Sequence, residues 1–377
     1  MIKRLRVTHV VETLELGGME KMVATLCLNT NTERFDVSVL CLKREGAIAE
    51  ELRARGIRVG FAQIPVAPPE YAAFRRVTRY LRLHPSDVLH THNTSGLLNG
   101  VLGGRLAGVR TIVHTEHGRS FPDHWRYMLL ERCMAKLIYR FVGVSEETTR
   151  ALHTFEGISM RRLRTIPNGV DEVVIPEPDE LFRLREQLSI PSDALIVGAV
   201  ARLVWEKSLK DLLSAFRLVV NQEPRAILLI AGDGPQRDEL HNCDDTKALG
   251  DRVRFLGTRL DVGRLLHIFD VYCLSSVSEG LPLGLLEAMS SGRAIVSTDV
   301  GGIPSAITHM KEGLLVSPRQ PQLFAQAVIT LLRNTALAAS LGAAARETFE
   351  ARYTSSAMAR AYESMYLRQN DEPRGMR

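Results

Sequence analysis

Short apolar runs rich in valine, isoleucine and leucine recur along the chain, each followed by a stretch with the apolar spacing of a helix. In the first half the runs Leu5–Val11, Val37–Leu42, Val59–Ile64, Val88–His92, Thr111–Thr115 and Phe141–Val144 predict strands. Helices are predicted between them near Met19–Leu28, Ala47–Arg55, Tyr71–His84, Leu97–Ala107, Trp125–Arg140 and Glu146–Phe155. A polar stretch at Glu177–Glu180, broken by Pro176 and Pro178, reads as a linker. The alternation then resumes, with strands at Leu195–Val200, Ala226–Ala231, Val253–Leu256, Val271–Leu274, Ala294–Ser297 and Leu314–Val316. The helix Leu209–Val220 follows the first of these, and the last helices fall near Pro321–Arg333, Ala336–Glu350 and Ser355–Gln369. Continuous apolar strands separated by helices argue for parallel sheets covered on both faces. The chain therefore reads as α/β, two Rossmann-like doubly wound domains over 1–172 and 191–350, joined by 173–190 and followed by 351–377. The tail Asn370–Arg377 is expected to be disordered.

A chain of 377 residues is long enough for two cores. No apolar run reaches the roughly 18 residues of a membrane span. The start, Met1-Ile-Lys-Arg-Leu-Arg, leads into a strand rather than a signal peptide. Five scattered cysteines without a Cys-x-x-Cys pair (Cys27, Cys41, Cys133, Cys243, Cys273) fit buried thiols in a reducing compartment, so a cytoplasmic location is expected. Charge is uneven. Through Val170 there are 25 Lys and Arg against 16 Asp and Glu, net +9; the remainder has 23 against 27, net −4. The first half is thus expected to meet something anionic. No nucleic-acid module accompanies the charge, so a phosphorylated acceptor or an anionic membrane surface fits better, and nucleic acid is not expected as a partner. On Tyr71–His84, Phe74, Thr78 and Leu81 share one helical face while Arg75, Arg79 and Arg82 share another, which suits either a covering helix or peripheral membrane contact.

Candidate chemistry concentrates in Ser275–Asp299, which reads as a strand end, a loop, a helix and a further strand. Pro282 fits the first helical position. The N–H groups from Leu283 to Leu285 then point from a helix N-terminus, a place suited to phosphate. Glu279 in the loop can accept hydrogen bonds from sugar hydroxyls, and Glu287 on the second turn can hold a ribose. Arg202 and Lys207 follow the strand Leu195–Val200, where two cations can neutralise a diphosphate. Arg259, after Leu256-Gly257-Thr258, is a candidate for the base pocket. In the first half, Gly17 and Gly18 lie between strand and helix, a placement that lets backbone approach a phosphate. His117, at the end of Val113–Glu116, is placed either to enter a cleft or to be held by a loop carbonyl. His114 is expected to be buried. His90 and His92 are rejected as a metal site for want of a third ligand.

The run Ser-Glu-Gly-Leu-Pro-Leu-Gly-Leu-Leu-Glu-Ala-Met-Ser-Ser-Gly, with seven residues between Glu279 and Glu287, resembles the signature of the family-4 glycosyltransferases. The Gly17-Gly18 loop, His117, Ile166–Asp171 and the Arg202/Lys207 pair follow in that family's order, although Ala201 and Ser208 stand where the family has glycines. The resemblance is to bacterial exopolysaccharide-type sugar transferases. It implies the GT-B fold, two domains facing across a cleft, with the final helix crossing back onto the first. It further implies retaining, metal-independent transfer of a hexosyl or N-acetylhexosaminyl group from a nucleoside diphosphate sugar to an acceptor hydroxyl, without a cofactor. The acceptor implied is a glycan or lipid-linked saccharide, reached from the inner face of the cell membrane. His117, Arg202, Lys207 and Glu279 are the implied catalytic residues. Gly17, Gly18, Arg202, Lys207, Arg259, Glu279, Gly280, Leu281, Pro282, Leu283 and Glu287 are the implied donor-binding residues, with no metal ligand among them. A nucleotide-sugar epimerase of the same fold and an inactive carbohydrate-binding relative are the alternatives.

Overall fold

The computed structural model describes residues 4–64, 73–118 and 125–371. It comprises two compact units, one of Met1–Val170 with Ser355–Arg377, the other of Asp171–Thr354.

The first unit holds seven parallel strands: β1 (Leu5–Thr13), β2 (Phe35–Arg44), β3 (Arg58–Phe61), β4 (Val88–His92), β5 (Thr111–Glu116), β6 (Arg140–Gly143) and β7 (Leu163–Thr165). Their order is β3-β2-β1-β4-β5-β6-β7. The winding reverses between β1 and β4, which makes that pair the switch point beyond whose C-terminal ends ligands bind in such sheets. The edge strand β7 is absent from the sequence expectation because only Leu163 of its residues is buried, leaving no apolar run to see. Two predicted helices change at their ends. Trp125–Ala135 stops short because Arg140 already opens β6, and the helical stretch predicted at Leu97 begins at Asn93, through a wide turn over Gly96–Gly100. The helix Ser355–Asp371 belongs to this unit, tied to it where the Ser355 N–H donates to the Val170 carbonyl at 2.8 Å. The expected disorder at the C-terminal tail lies outside the described residues from 372 onward; Asn370 and Asp371 are helical.

The second unit repeats the plan with six parallel strands: β8 (Leu195–Val200), β9 (Ala226–Ala231), β10 (Val253–Gly257), β11 (Val271–Leu274), β12 (Ala294–Thr298) and β13 (Leu314–Val316), in the order β10-β9-β8-β11-β12-β13. Val197, Leu228, Ile230, Val271 and Val296 pack against Leu212 and Phe216 of helix Leu209–Gln222 and Phe324 and Val328 of helix Pro321–Arg333. Here the reversal lies between β8 and β11. The expected linker needs correction: Pro178–Gln187 is a helix whose Leu184 is buried. Pro178 at the first helical position lacks only an N–H that a helix start leaves unused, and Asp179 and Glu180 complement the dipole there. The prolines start an element rather than break one. Among the described residues no single helix is long and apolar enough to cross a membrane.

Register brings the first unit's histidines together. His9 of β1 lies opposite His90 of β4, Thr91 opposite His114, and His92 opposite Thr115. All four histidines are fully buried. His90 shares hydrogen bonds with the Tyr366 hydroxyl at 2.7 Å and with Thr115 Oγ1 at 2.7 Å, and Thr115 reaches the Tyr362 hydroxyl at 2.9 Å. The final helix thus supplies two hydroxyls to the sheet's buried polar centre. His9 also corrects the argument against a metal site, because it brings one nitrogen within 4.8 Å of nitrogens of His90 and His92. The donor set still does not fit a resident ion. Both His90 nitrogens face hydroxyls, while His9 Nδ1 faces His92 Nε2 at 3.1 Å, so the lone pairs do not converge on one point.

Burial holds these imidazoles neutral: it drives His9 from 6.5 to about 3 and lowers His90 and His92 well below 6.5, where the neighbouring imidazoles add to the effect. The unfolded chain therefore takes up protons that the folded chain refuses, and stability falls as pH drops from 6.5 towards 3. The expected slope, well below pH 6.5, is about 1.4 kcal/mol per pH unit for each histidine that stays neutral. Denaturant titrations at pH 7.5 and 5.5 check this, His9→Gln being expected to flatten the dependence; equal stability at both pH values would contradict it.

Candidate functional site

In the second unit the helix Leu283–Ser290 begins beside the switch point. Pro282 is its N-cap, with φ −72° and ψ 131°, rather than its first helical residue, because its extended ψ lies outside the helix. The free N–H groups shift accordingly. Leu283 and Gly284 have no acceptor within the helix, while the Leu285 N–H turns back to the Pro282 carbonyl at 3.2 Å. Among the described residues no side chain caps this end. Gly284 is needed where it stands: a Cβ there would lie 2.8 Å from the Tyr272 hydroxyl. Tyr272 of β11 is wholly buried and its hydroxyl has no hydrogen-bond partner among the described residues. Its pKa is pushed well above 10.0, first by burial and then by the charges of Glu287 and Glu279. Glu287 sits half-buried on the second turn.

Glu279 and Lys207 form one feature. Lys207 Nζ donates to Glu279 Oε1 at 2.5 Å, with side-chain exposures of 20% and 9%, and Ser276 Oγ donates to the same oxygen at 2.6 Å. The separate roles read from the sequence therefore begin from an ion pair, in which the carboxylate aims the ammonium. Two further bonds join their loops: Ser275 Oγ donates to the Lys207 carbonyl at 2.9 Å, and the Val277 N–H to the Glu206 carbonyl at 2.8 Å. A third loop closes the other side, where the Gly302 N–H donates to the Gly280 carbonyl at 2.7 Å. Gly301, at φ 54°, leaves room for the Glu279 carbonyl, 1.8 Å from where a Cβ would stand. Ser208 adopts φ 45°, ψ 45°, which explains the resemblance's glycine there, and its hydroxyl donates to Asp211 at 2.7 Å.

Arg202 is exposed and makes no side-chain bond to a described residue, so its charge is available. Arg259 is not available in that way: it forms a two-bond pair with Asp261, at 2.8 and 2.6 Å, and that pairing lowers the Asp261 carboxyl. Gly280 and Leu281 are buried in the loop, and Leu283 is half-buried at its end. In the second unit the structure joins Lys207 to Glu279, with Gly280 and Leu281 in the same loop and Pro282, Leu283 and Glu287 on the helix that follows, while Arg202 lies just past the end of β8. Ser276 and Tyr272 escaped sequence reasoning. Ser276 lies i−3 from Glu279, a local spacing that could have suggested it.

In the first unit, Gly17 is the N-cap of helix Gly18–Asn29, again without a side-chain cap. Glu20 crowds Gly17, while Gly18 faces open space. His114 is buried, as expected, and His117 is partly exposed. His117 Nε2 lies 3.0 Å from His92 Nδ1, so a histidine set aside on sequence grounds supports one that was not. Desolvation lowers the His117 pKa to about 3.

The chain is similar to known proteins in sequence and in fold. The family described as glycosyl transferases group 1 matches residues 182–348, and the one described as Glycosyltransferase Family 4 matches residues 16–173. The UDP-Gal:alpha-D-GlcNAc-diphosphoundecaprenol alpha-1,3-galactosyltransferase of Escherichia coli is 25% identical over 89% of each chain. The N-acetyl-alpha-D-glucosaminyl L-malate synthase of Bacillus anthracis is 28% identical over 79% of each. Among solved structures, the Anabaena protein HepE in complex with UDP superposes with a TM-score of 0.84 at 21% identity, over 97% of this chain and 100% of that one. WaaG, a glycosyltransferase involved in lipopolysaccharide biosynthesis, superposes at 0.72 with 15% identity, over 95% and 99%. With both Rossmann-like units matched in order, the chain belongs to the family-4 glycosyltransferases of the GT-B fold.

Proposed function

We propose that the protein moves a hexosyl or N-acetylhexosaminyl group from a nucleoside diphosphate sugar to an acceptor hydroxyl, with retention of configuration and without a metal or other cofactor. The observation that carries this reading is the helix start with free N–H groups that follows the loop of Glu279, whose carboxylate holds Lys207, with Arg202 exposed just past β8. Fixed positive charge of this kind stabilises a departing diphosphate without reorganisation. Glu287 holds the ribose and Glu279 the sugar hydroxyls nearest the diphosphate. From the first unit, Gly17 and Gly18 serve the donor and His117 orients the sugar or acceptor. The acceptor hydroxyl attacks on the face the diphosphate leaves, passing its proton to a diphosphate oxygen. The E. coli relative is named for a UDP-sugar donor and HepE binds UDP, so uridine is the base to test first. That relative's acceptor is diphosphoundecaprenol-linked, which supports a lipid-linked saccharide and a place on the cytoplasmic face of the membrane.

Arg202→Ala and Lys207→Ala are each expected to lower turnover about 100-fold or more. Product NMR is expected to show the donor's anomeric configuration. Unchanged turnover, or an inverted product, would overturn the assignment. Conversion of the nucleotide sugar with no acceptor present would favour an epimerase instead.

The membrane contact rests on the helix Ala73–Leu83, which buries Val77, Thr78 and Leu81 and exposes Arg75, Arg76, Arg79 and Arg82. Residues 71–72 of the predicted helix lie outside the described residues. A groove of about 450 Å³ along it is lined by Phe74, Arg75, Arg79, Arg82 and the exposed Leu83 and Leu106. Near an anionic bilayer each such arginine is worth about 1 kcal/mol. Sedimentation with phosphatidylglycerol vesicles at low salt is expected to carry the protein down, and Arg75→Glu/Arg79→Glu to release it. No binding at low salt would remove the contact.

A further inference from the structure

Three imidazoles in the first unit form a hydrogen-bonded row. His9 Nδ1 lies 3.1 Å from His92 Nε2, and His92 Nδ1 lies 3.0 Å from His117 Nε2. The inner end is closed: His9 is wholly buried, and its Nε2 has no hydrogen-bond partner among the described residues. The outer end is His117, partly exposed. From this row we infer that His92 and His9 act as positioning residues that fix the proton of His117 on its outward nitrogen, Nδ1, so that His117 meets sugar or acceptor as a hydrogen-bond donor and not as a base.

The inference follows from counting protons. Each neutral imidazole carries one N–H, and each nitrogen–nitrogen contact needs one proton and one lone pair. Only two arrangements satisfy both contacts. In one, His9 donates to His92, His92 donates to His117, and His117 keeps its proton on Nδ1; the buried His9 Nε2 is a bare lone pair. In the other, every proton points inward, and His9 Nε2 becomes a buried N–H with no acceptor. An orphaned buried donor is rarer and costlier than an under-used acceptor. The first arrangement is therefore the resting one. Burial supports it by keeping His9 and His92 uncharged, which excludes a third arrangement with an extra proton. Among the described residues the other titratable groups near the row are His90, whose ring centroid lies 4.1 Å from that of His92 and 4.9 Å from that of His9, His114, whose Nδ1 bonds Thr91 Oγ1 at 2.9 Å, and the hydroxyls of Tyr362 and Tyr366, which bond Thr115 and His90 instead.

The consequence deepens the proposed transfer and rests on that reading. A donor at His117 Nδ1 suits a hydroxyl oxygen of the sugar or an oxygen gaining negative charge. It leaves the acceptor's proton to the diphosphate. The tautomer itself is readable without substrate. Protein labelled with ¹⁵N-histidine is expected to show, at pH 7, a protonated Nδ1 and an unprotonated Nε2 for His117. An Nε2-protonated or cationic His117 would overturn the inference whatever the enzyme's activity. His92→Asn keeps a donor near the position of Nδ1 and is expected to preserve the tautomer and most of the turnover. His92→Leu is expected to mix the His117 tautomers and lower kcat roughly tenfold or more, with little change in UDP binding. Circular dichroism and UDP binding confirm that each variant is folded. A His92→Leu protein that is folded, with the wild-type tautomer and kcat, would also overturn it. Absence of any sugar transfer with the wild-type tautomer intact would count against the proposed function alone.

Discussion

The ion pair of Lys207 and Glu279 is the contact on which the second unit's site depends. With only 9% of its side chain exposed, the Glu279 carboxylate requires a partner, since an uncompensated buried charge is strongly destabilising. Meeting that requirement fixes the loop after β8 against the loop after β11, one on each side of the sheet's reversal. Ser275 and Val277 add bonds along the same seam, and Gly301 admits the carbonyl that lets Glu279 turn inward. Ser208 holds a left-handed conformation at a cost of order 1 kcal/mol for a residue with a Cβ. Its bond to Asp211 offsets part of that. The result is a helix start with free N–H groups and one cation, Lys207, held in place before any ligand arrives.

The two units solve opposite electrostatic problems with the same winding. At its switch point the second unit assembles charge, and the Arg202 guanidinium there has no side-chain partner among the described residues. The first unit brings histidines to its switch point and keeps them neutral by burial, answering their polarity with hydroxyls from the final helix. In the proposed reaction, charge would suit the holding of a diphosphate, and neutral, directional hydrogen bonding the orienting of a sugar.

Much of this was legible in the sequence because parallel strands buried on both faces are unbroken apolar runs. The loop and helix around Glu279 and Glu287 were legible for a related reason, being local in the chain. What escaped lacked a local signal. β7 has one buried residue, and Pro178 reads as a break until its place at a helix start is known. Lys207 and Glu279 are 72 residues apart, and His9 and His92 are 83 apart. Two histidines at i and i+2 on β4 share a face by the strand's own period, but His9 joins them only through the register of β1 against β4. Arg259, a candidate for the base pocket, also has a partner that its sequence position did not announce, Asp261 two residues later.

The second unit's helix start and its acidic flanks are proposed as a nucleotide-sugar pocket. Calorimetric titration of the purified protein with UDP, GDP and ADP in the presence of a chelator, alongside Glu287→Ala, tests it most directly. Micromolar binding of one nucleotide is expected, UDP first among them, with loss of that binding in the variant. Binding of none of the three, or equal binding by the variant, would contradict it.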